Sequence, residues 1–267
     1  VDAGWLRDAL TLVVGFLTGV LSGAFGVGGA VISSPGIRLL GASALTAVGT
    51  TLPAIIPGAA AGAYRYQREH LVQWRAVAWT APTGIVAAVG GAWLAPRVPG
   101  EGHLLQLAVA GLLGWSAYRL GTGRDAGEEP ADQEVDEADA VAAERTVAFA
   151  ATGVLAGGLS GLLGIGGGVV MVPAFVALGG LSLKRAIGTS LVCVGLYAVP
   201  GTITHAWQGG IDWRFALLLT VAVVPGARIG SALTMKANDE ALRTRVGLFL
   251  GAIAVLYASG ELLSLLG

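Results

Sequence analysis

Carboxylates are missing where this chain is most apolar. No Asp or Glu lies deep inside its long hydrophobic stretches, and Asp212 and Glu261 sit only near their ends. Charged residues make up 12% of the 267 positions, against roughly 25% in soluble domains. With no cluster of acid, base and nucleophile inside those stretches, the chain is not expected to be an enzyme. The single cysteine, Cys193, excludes an internal disulfide and a thiolate metal cluster. In its apolar setting it reads as a small buried hydrophobe. His70, His103 and His205 are the only histidines and lack metal-ligand spacing, so no metal is expected. A net charge of −1 and the lack of a basic stripe exclude a nucleic-acid partner. No Lys-Ser/Thr follows the glycine runs and no strand precedes them, which removes a nucleotide site; no cofactor is implied.

What the chain does have is apolar length. Hydrophobic residues reach 54%, mean hydropathy is +0.73, and neither 9–37 nor 146–183 contains a charged side chain. A membrane helix needs only about 20 apolar residues. Predicted apolar segments cover 9–25, 27–37, 44–64, 76–95, 104–121, 146–163, 167–180, 186–206, 214–235 and 244–264. The first could imitate a signal peptide, but its motif runs straight on and returns later, so it reads as a helix that stays. Between 125 and 144 lie nine acidic residues and no Lys or Arg, which predicts a solvated, flexible linker. The expected organisation is a first transmembrane repeat at 1–121, an acidic cytoplasmic linker at 122–145 and a second repeat at 146–267.

The two repeats are legible in the residues. LTGVLSGAFGVGGAVISSP (17–35) matches LAGGLSGLLGIGGGVVMVP (155–173) at ten of nineteen positions without a gap. Ala47-Val48-Gly49-Thr50-Thr51 returns as Ala186-Ile187-Gly188-Thr189-Ser190, and Val72-Gln73-Trp74-Arg75 as Ile211-Asp212-Trp213-Arg214. The Trp-Arg pairs suit a membrane interface. A straight helix over 147–183 would be about 55 Å long, too long for a hydrocarbon core of roughly 30 Å. Glycine at the tip and Pro173 beyond it predict a hairpin of two shorter helices, with the glycines at the bend. Hairpins also leave Arg7, Arg38, Arg97 and Arg214 on one side against eleven basic residues opposite. The positive-inside rule then puts those eleven and the acidic linker in the cytoplasm. The expected fold is an all-α polytopic membrane protein of two inverted pseudo-symmetric repeats, each a glycine-broken hairpin plus about three spanning helices. Glycine-broken segments at matching places in two halves mark the site of a secondary transporter.

Candidate binding residues follow from that reading. Gly26, Gly28 and Gly29 in the first bend, and Gly164, Gly166, Gly167 and Gly168 in the second, can turn backbone N–H groups toward an anion. Arg228 lies in an apolar run without a carboxylate partner, and its planar fork of donors suits an anionic substrate; a structural arginine bound to carbonyls at the Pro225-Gly226 bend is the alternative. The hydroxyl pairs Thr50-Thr51 and Thr189-Ser190 could donate to an oxyanion or bond their own helices. Ser22 and Ser160 are paired in the same way. His205, near the end of a span, could act as a proton relay or be a satisfied interfacial histidine.

At these residues the chain resembles the TauE/SafE family of sulfite exporters, within the toluene-sulfonate uptake permease superfamily. The resemblance covers nearly the whole chain outside 122–144. It is most specific in GLLGIGGGVVMVP (161–173) and KRAIGTS (184–190), with support from His205 through Arg214 and from Gly226-Ala227-Arg228-Ile229-Gly230. The first half departs from the second at Ala30 and Gln73. The resemblance implies transport, usually export, of sulfur-containing anions such as sulfite, sulfonates or thiosulfate. The full expectation is a multi-pass protein of the plasma or inner membrane that carries such an anion by alternating access around a midplane site. Its expected partners are that anion, the lipid bilayer and, as an option, a second copy forming a homodimer. An anion channel and a carrier of small organic carboxylates are the alternatives.

Overall fold

The structure, a computed structural model, describes residues 4–94, 135–163 and 166–266, with a few helical positions between 110 and 118. Among the described residues there are nine long or short helices and no strand. They are α1 (Gly4–Phe25), α2 (Ala30–Leu39), α3 (Ala44–Arg68), α4 (Trp74–Leu94), α5 (Val135–Leu163), α6 (Gly168–Ala177), α7 (Leu183–Trp207), α8 (Trp213–Lys236) and α9 (Asp239–Leu266). Three of them, α1, α7 and α8, are long and apolar enough to cross a membrane. Large apolar side chains such as Trp5, Val86, Leu217, Val221 and Leu248 are exposed on the outside. Water would penalise that surface, whereas lipid would not.

The glycines break the chain where the sequence says they should. Helix α1 contains no breaker before Gly26, which adopts φ +72°, and Gly28 and Gly29 follow at φ +77°. These are left-handed conformations that only glycine adopts cheaply. Helix α2 restarts at once and returns along α1: a side chain on Gly29 would strike Thr18, and one on Gly36 would strike Val14. The second half repeats this, with Gly166 at φ +82° and Gly167 at φ +67° before α6. The expectation of two shorter helices needs one correction. Helix α1 is full length at 22 residues, and only the returning helix is short, at ten. Ten residues rise about 15 Å, half a hydrocarbon core. Pro35 and Pro173 lie inside the short helices and do not open the next one.

Packing is close and made by small residues. Helix α8 lies along α1 in the same direction. Gly15 faces Leu219 and Ala222, Gly19 faces Val223, Gly23 faces Ala227, and from α8 Gly226 and Gly230 face Phe16 and Val20. Helix α5 lies along α4 in the same manner, with Gly153 against Thr80, Gly157 against Gly84 and Gly91 against Gly158. Small residues let backbones approach, the usual basis of helix association in lipid. Through the middle, α3 and α7 run antiparallel: Gly49 meets Gly210, Leu52 meets Gly201, Ala59 meets Gly195 and Tyr66 meets Gly188.

The ends are tied by polar contacts. Asp212 caps α8 by accepting from the N–H groups of Arg214 and Phe215, satisfying donors that a helix start leaves free. Arg214 pairs with Asp8 at 2.6 Å, and the Arg7 guanidinium sits 4.4 Å above the Phe215 ring. Helix α5 starts at Val135, inside the segment expected to be a flexible linker. Alanine and glutamate there are good helix formers, so acidity alone was a poor guide to conformation. Residues 122–134 and most of the predicted span 104–121 lie outside the described residues.

Candidate functional site

The two glycine bends meet. A side chain on Gly168, the first residue of α6, would fall on the carbonyl of Gly26 and on Val27. That carbonyl accepts from Ser190 Oγ at 2.9 Å, and the same hydroxyl lies 2.9 Å from the Ile187 carbonyl. Gly26, Gly168 and Ser190 therefore hold the bends to one another and to α7. Gly166 has its neighbours Ala30, Ile55 and Val194 at ordinary contact, and Gly167 abuts the Ala156 carbonyl. Gly164 lies outside the described residues.

Thr50 and Thr189 have a related structural task. The Asp212 N–H donates to Thr50 Oγ1 at 2.9 Å, and the Gln73 N–H donates to Thr189 Oγ1 at 3.0 Å. Each threonine is fully buried and accepts from the loop of the opposite half. An unpaired buried amide costs about 1–3 kcal/mol, so these bonds fix where α4 and α8 begin. Of the two hydroxyl pairs, the structure brings Thr51 alone to the cleft described next.

Thr51 opens onto a narrow cleft beside the first bend. It is lined by Thr18 and Ser22 of α1, Gly28 and Gly29 of the bend, Ser33 of α2 and Thr51 of α3. Ile55, Gly58, Leu219 and Val223 close the far side. At its widest the cleft has room for about one water molecule. No charged side chain lines it, so every polar wall group is a neutral hydroxyl or a backbone group. Gly29 caps α2, whose first turn carries the positive end of its helix dipole toward this place. The amides of Gly28 and Gly29 donate to no backbone carbonyl among the described residues. Thr51 Oγ1 donates to the Val48 carbonyl at 3.0 Å and lies 3.4 Å from Ser34 Oγ. Ser33 Oγ donates to the Gly29 carbonyl at 3.1 Å. Thr18 is buried, and its Oγ1 has no partner among the described residues.

Arg228 is not part of this cleft. It lies on the exposed face of α8 with Leu217 and Val221, while Gly226, Ala227 and Gly230 turn toward α1. The small residues needed for contact with α1 leave the arginine the opposite face, away from this cleft. His205 is also apart. It lines a second, wider hollow with Ser160, Tyr197 and Thr204, and its buried Nδ1 has no partner among the described residues. Ser22, Gly28, Gly29 and Thr51 are thus the expected residues that the structure brings together. Thr18 and Ser33 were missed because the search followed residues that recur in both halves. A reading by helical face would have found Thr18, one turn before Ser22.

The family described as Sulfite exporter TauE/SafE matches residues 11–257. Curated relatives include a probable membrane transporter protein of Xylella fastidiosa, 27% identical over 92% of this chain and 93% of its own. A probable membrane transporter protein of Methanocaldococcus jannaschii is 23% identical over the same shares. Another, YdhB of Bacillus subtilis, is 28% identical over 84% of this chain and 89% of its own. No solved structure matches the chain.

Proposed function

Because the chain belongs to the TauE/SafE sulfite exporter family and is a membrane transporter, we propose that it moves a small sulfur-containing oxyanion across the inner membrane. Sulfite, a sulfonate or thiosulfate fits the reading, with export as the direction. The anion sits where the first glycine bend, α2 and α3 converge, on the amides of Gly28 and Gly29 and the hydroxyls near Thr51. One observation carries this: a polar, uncharged cleft at a glycine bend whose amides donate to no backbone carbonyl among the described residues. Neutral donors solvate an oxyanion in low dielectric without a fixed charge that would trap it.

We read the two halves as inverted repeats. Support comes from the crosswise arrangement, with α1 beside α8 and α5 beside α4. The reciprocal bonds Asp212 to Thr50 and Gln73 to Thr189 and the antiparallel α3 and α7 fit the same axis. Rocking of one half against the other would open the cleft to alternate sides. The test is sulfite flux in proteoliposomes holding the purified chain, with thiosulfate, a sulfonate, sulfate and acetate as competitors. Saturable sulfite flux, inhibited by another sulfur anion more than by acetate, is expected. Flux absent for every anion, or preferring acetate, would refute the assignment.

A further inference from the structure

The two halves repeat one another in sequence, yet the space beside each bend differs. Thr18 in the first half corresponds to Ala156 in the second, Ser33 to Met171, Gly58 to Tyr197 and Val223 to Gly84. In the first half the Val223 side chain takes the space that Gly58 leaves, and both residues border the cleft. In the second half the Tyr197 phenol lies in the space that Gly84 leaves and donates to the Thr80 carbonyl at 2.9 Å. Met171 is fully buried beside the second bend. The second half thus has a methyl, a thioether and a phenol where the first has Thr18, Ser33 and Gly58.

Thr18 stands out among the helical threonines. Thr11, Thr83, Thr152, Thr202 and Thr220 each donate to the carbonyl four residues earlier, the ordinary outlet for a hydroxyl inside a helix. Thr18 Oγ1, in a residue only 3% exposed, makes no such bond. Buried polar groups without partners are rare and call for an explanation. A ligand in the cleft beside the hydroxyl supplies one.

We propose that the anion is recognised by the first half alone, in one site per chain, and that Thr18 is its specificity-determining donor. This rests on the transport reading above. Donation from Thr18, together with the Gly28 and Gly29 amides, selects an oxyanion, whose several oxygens can accept from donors on different walls. The second half then supplies the opposing, rigid surface and takes no anion of its own.

The test uses the purified full chain and the panel of sulfite, thiosulfate, a sulfonate, sulfate and acetate, read first as thermal stabilisation. The best ligand is then followed by calorimetric stoichiometry and by flux in proteoliposomes. Thr18→Val keeps the shape and removes the donor. It should raise KM about tenfold with kcat little changed, since a hydrogen bond to a charged group carries about that factor. Thr18→Ser should restore KM to within about twofold, and Ser160→Ala in the second half should leave it unchanged. Binding should saturate at about one anion per chain. Wild-type KM in Thr18→Val, an equal loss in Ser160→Ala, or two anions per chain would overturn the inference while leaving transport intact. If no member of the panel stabilises or crosses with the wild-type chain, the transport reading fails and this inference falls with it.

Discussion

Gly168→Val is expected to cut sulfite flux more than tenfold. The Cβ at 168 would lie 2.8 Å from the Val27 carbonyl carbon and 2.9 Å from its Cα, and closer still to the Gly26 oxygen. Those atoms are backbone and cannot rotate away. The Gly26 carbonyl is further held by Ser190 Oγ, so relief requires the two bends to separate. Overpacking of this kind costs about 1–3 kcal/mol when the surroundings give way. Here giving way means moving α2 and the cleft it builds. Gly158→Ala is the control, because nothing lies within 4 Å of a Cβ added there. Flux per folded protein and the thermal midpoint distinguish the two. Near-normal flux in Gly168→Val would show that contact between the bends is not required.

Gly19→Leu is expected to remove most of the folded protein. A side chain at 19 meets the Val223 carbonyl and lies 2.9 Å from the Ala227 amide, so a leucine drives α1 away from α8. Loss of that contact also separates Gly15, Gly23, Gly226 and Gly230 from their partners across the same seam. Close approach of small residues is the main attraction available between helices in lipid, and one bulky residue cancels it along the whole face. Gly157→Leu should act similarly between α5 and α4, where the neighbour is the Gly84 backbone. The measurement is the monodisperse fraction on size-exclusion chromatography after solubilisation. A wild-type profile for either variant would contradict the packing described.

Much of this fold was readable in the residues, for definite physical reasons. Positive-φ glycines are a strong backbone constraint, so Gly26, Gly28, Gly29, Gly166 and Gly167 fell at bends. Trp74 and Trp213, whose repeated motifs suit a membrane interface, begin α4 and α8. For Arg228 the apolar run alone does not say which face of the helix carries the arginine. Gly226, Ala227 and Gly230 answer that question, since contact with α1 consumes the opposite face. For Thr50 and Thr189, repetition marks a shared constraint, and an amide from the other half supplies one. Thr18 escaped notice because it has no counterpart in the second half, where Ala156 stands.

The central claim is that the two bends enter from opposite faces of the bilayer and meet inside it. Labelling with a membrane-impermeant maleimide tests it directly, since the one native cysteine, Cys193, is fully buried. Leu39→Cys and Leu178→Cys place exposed thiols at the outer ends of the two short helices. In sealed cells or oriented vesicles, the thiol at 39 should react from the periplasmic side only and the thiol at 178 from the cytoplasmic side only. Reaction of both thiols from the same side would contradict the account.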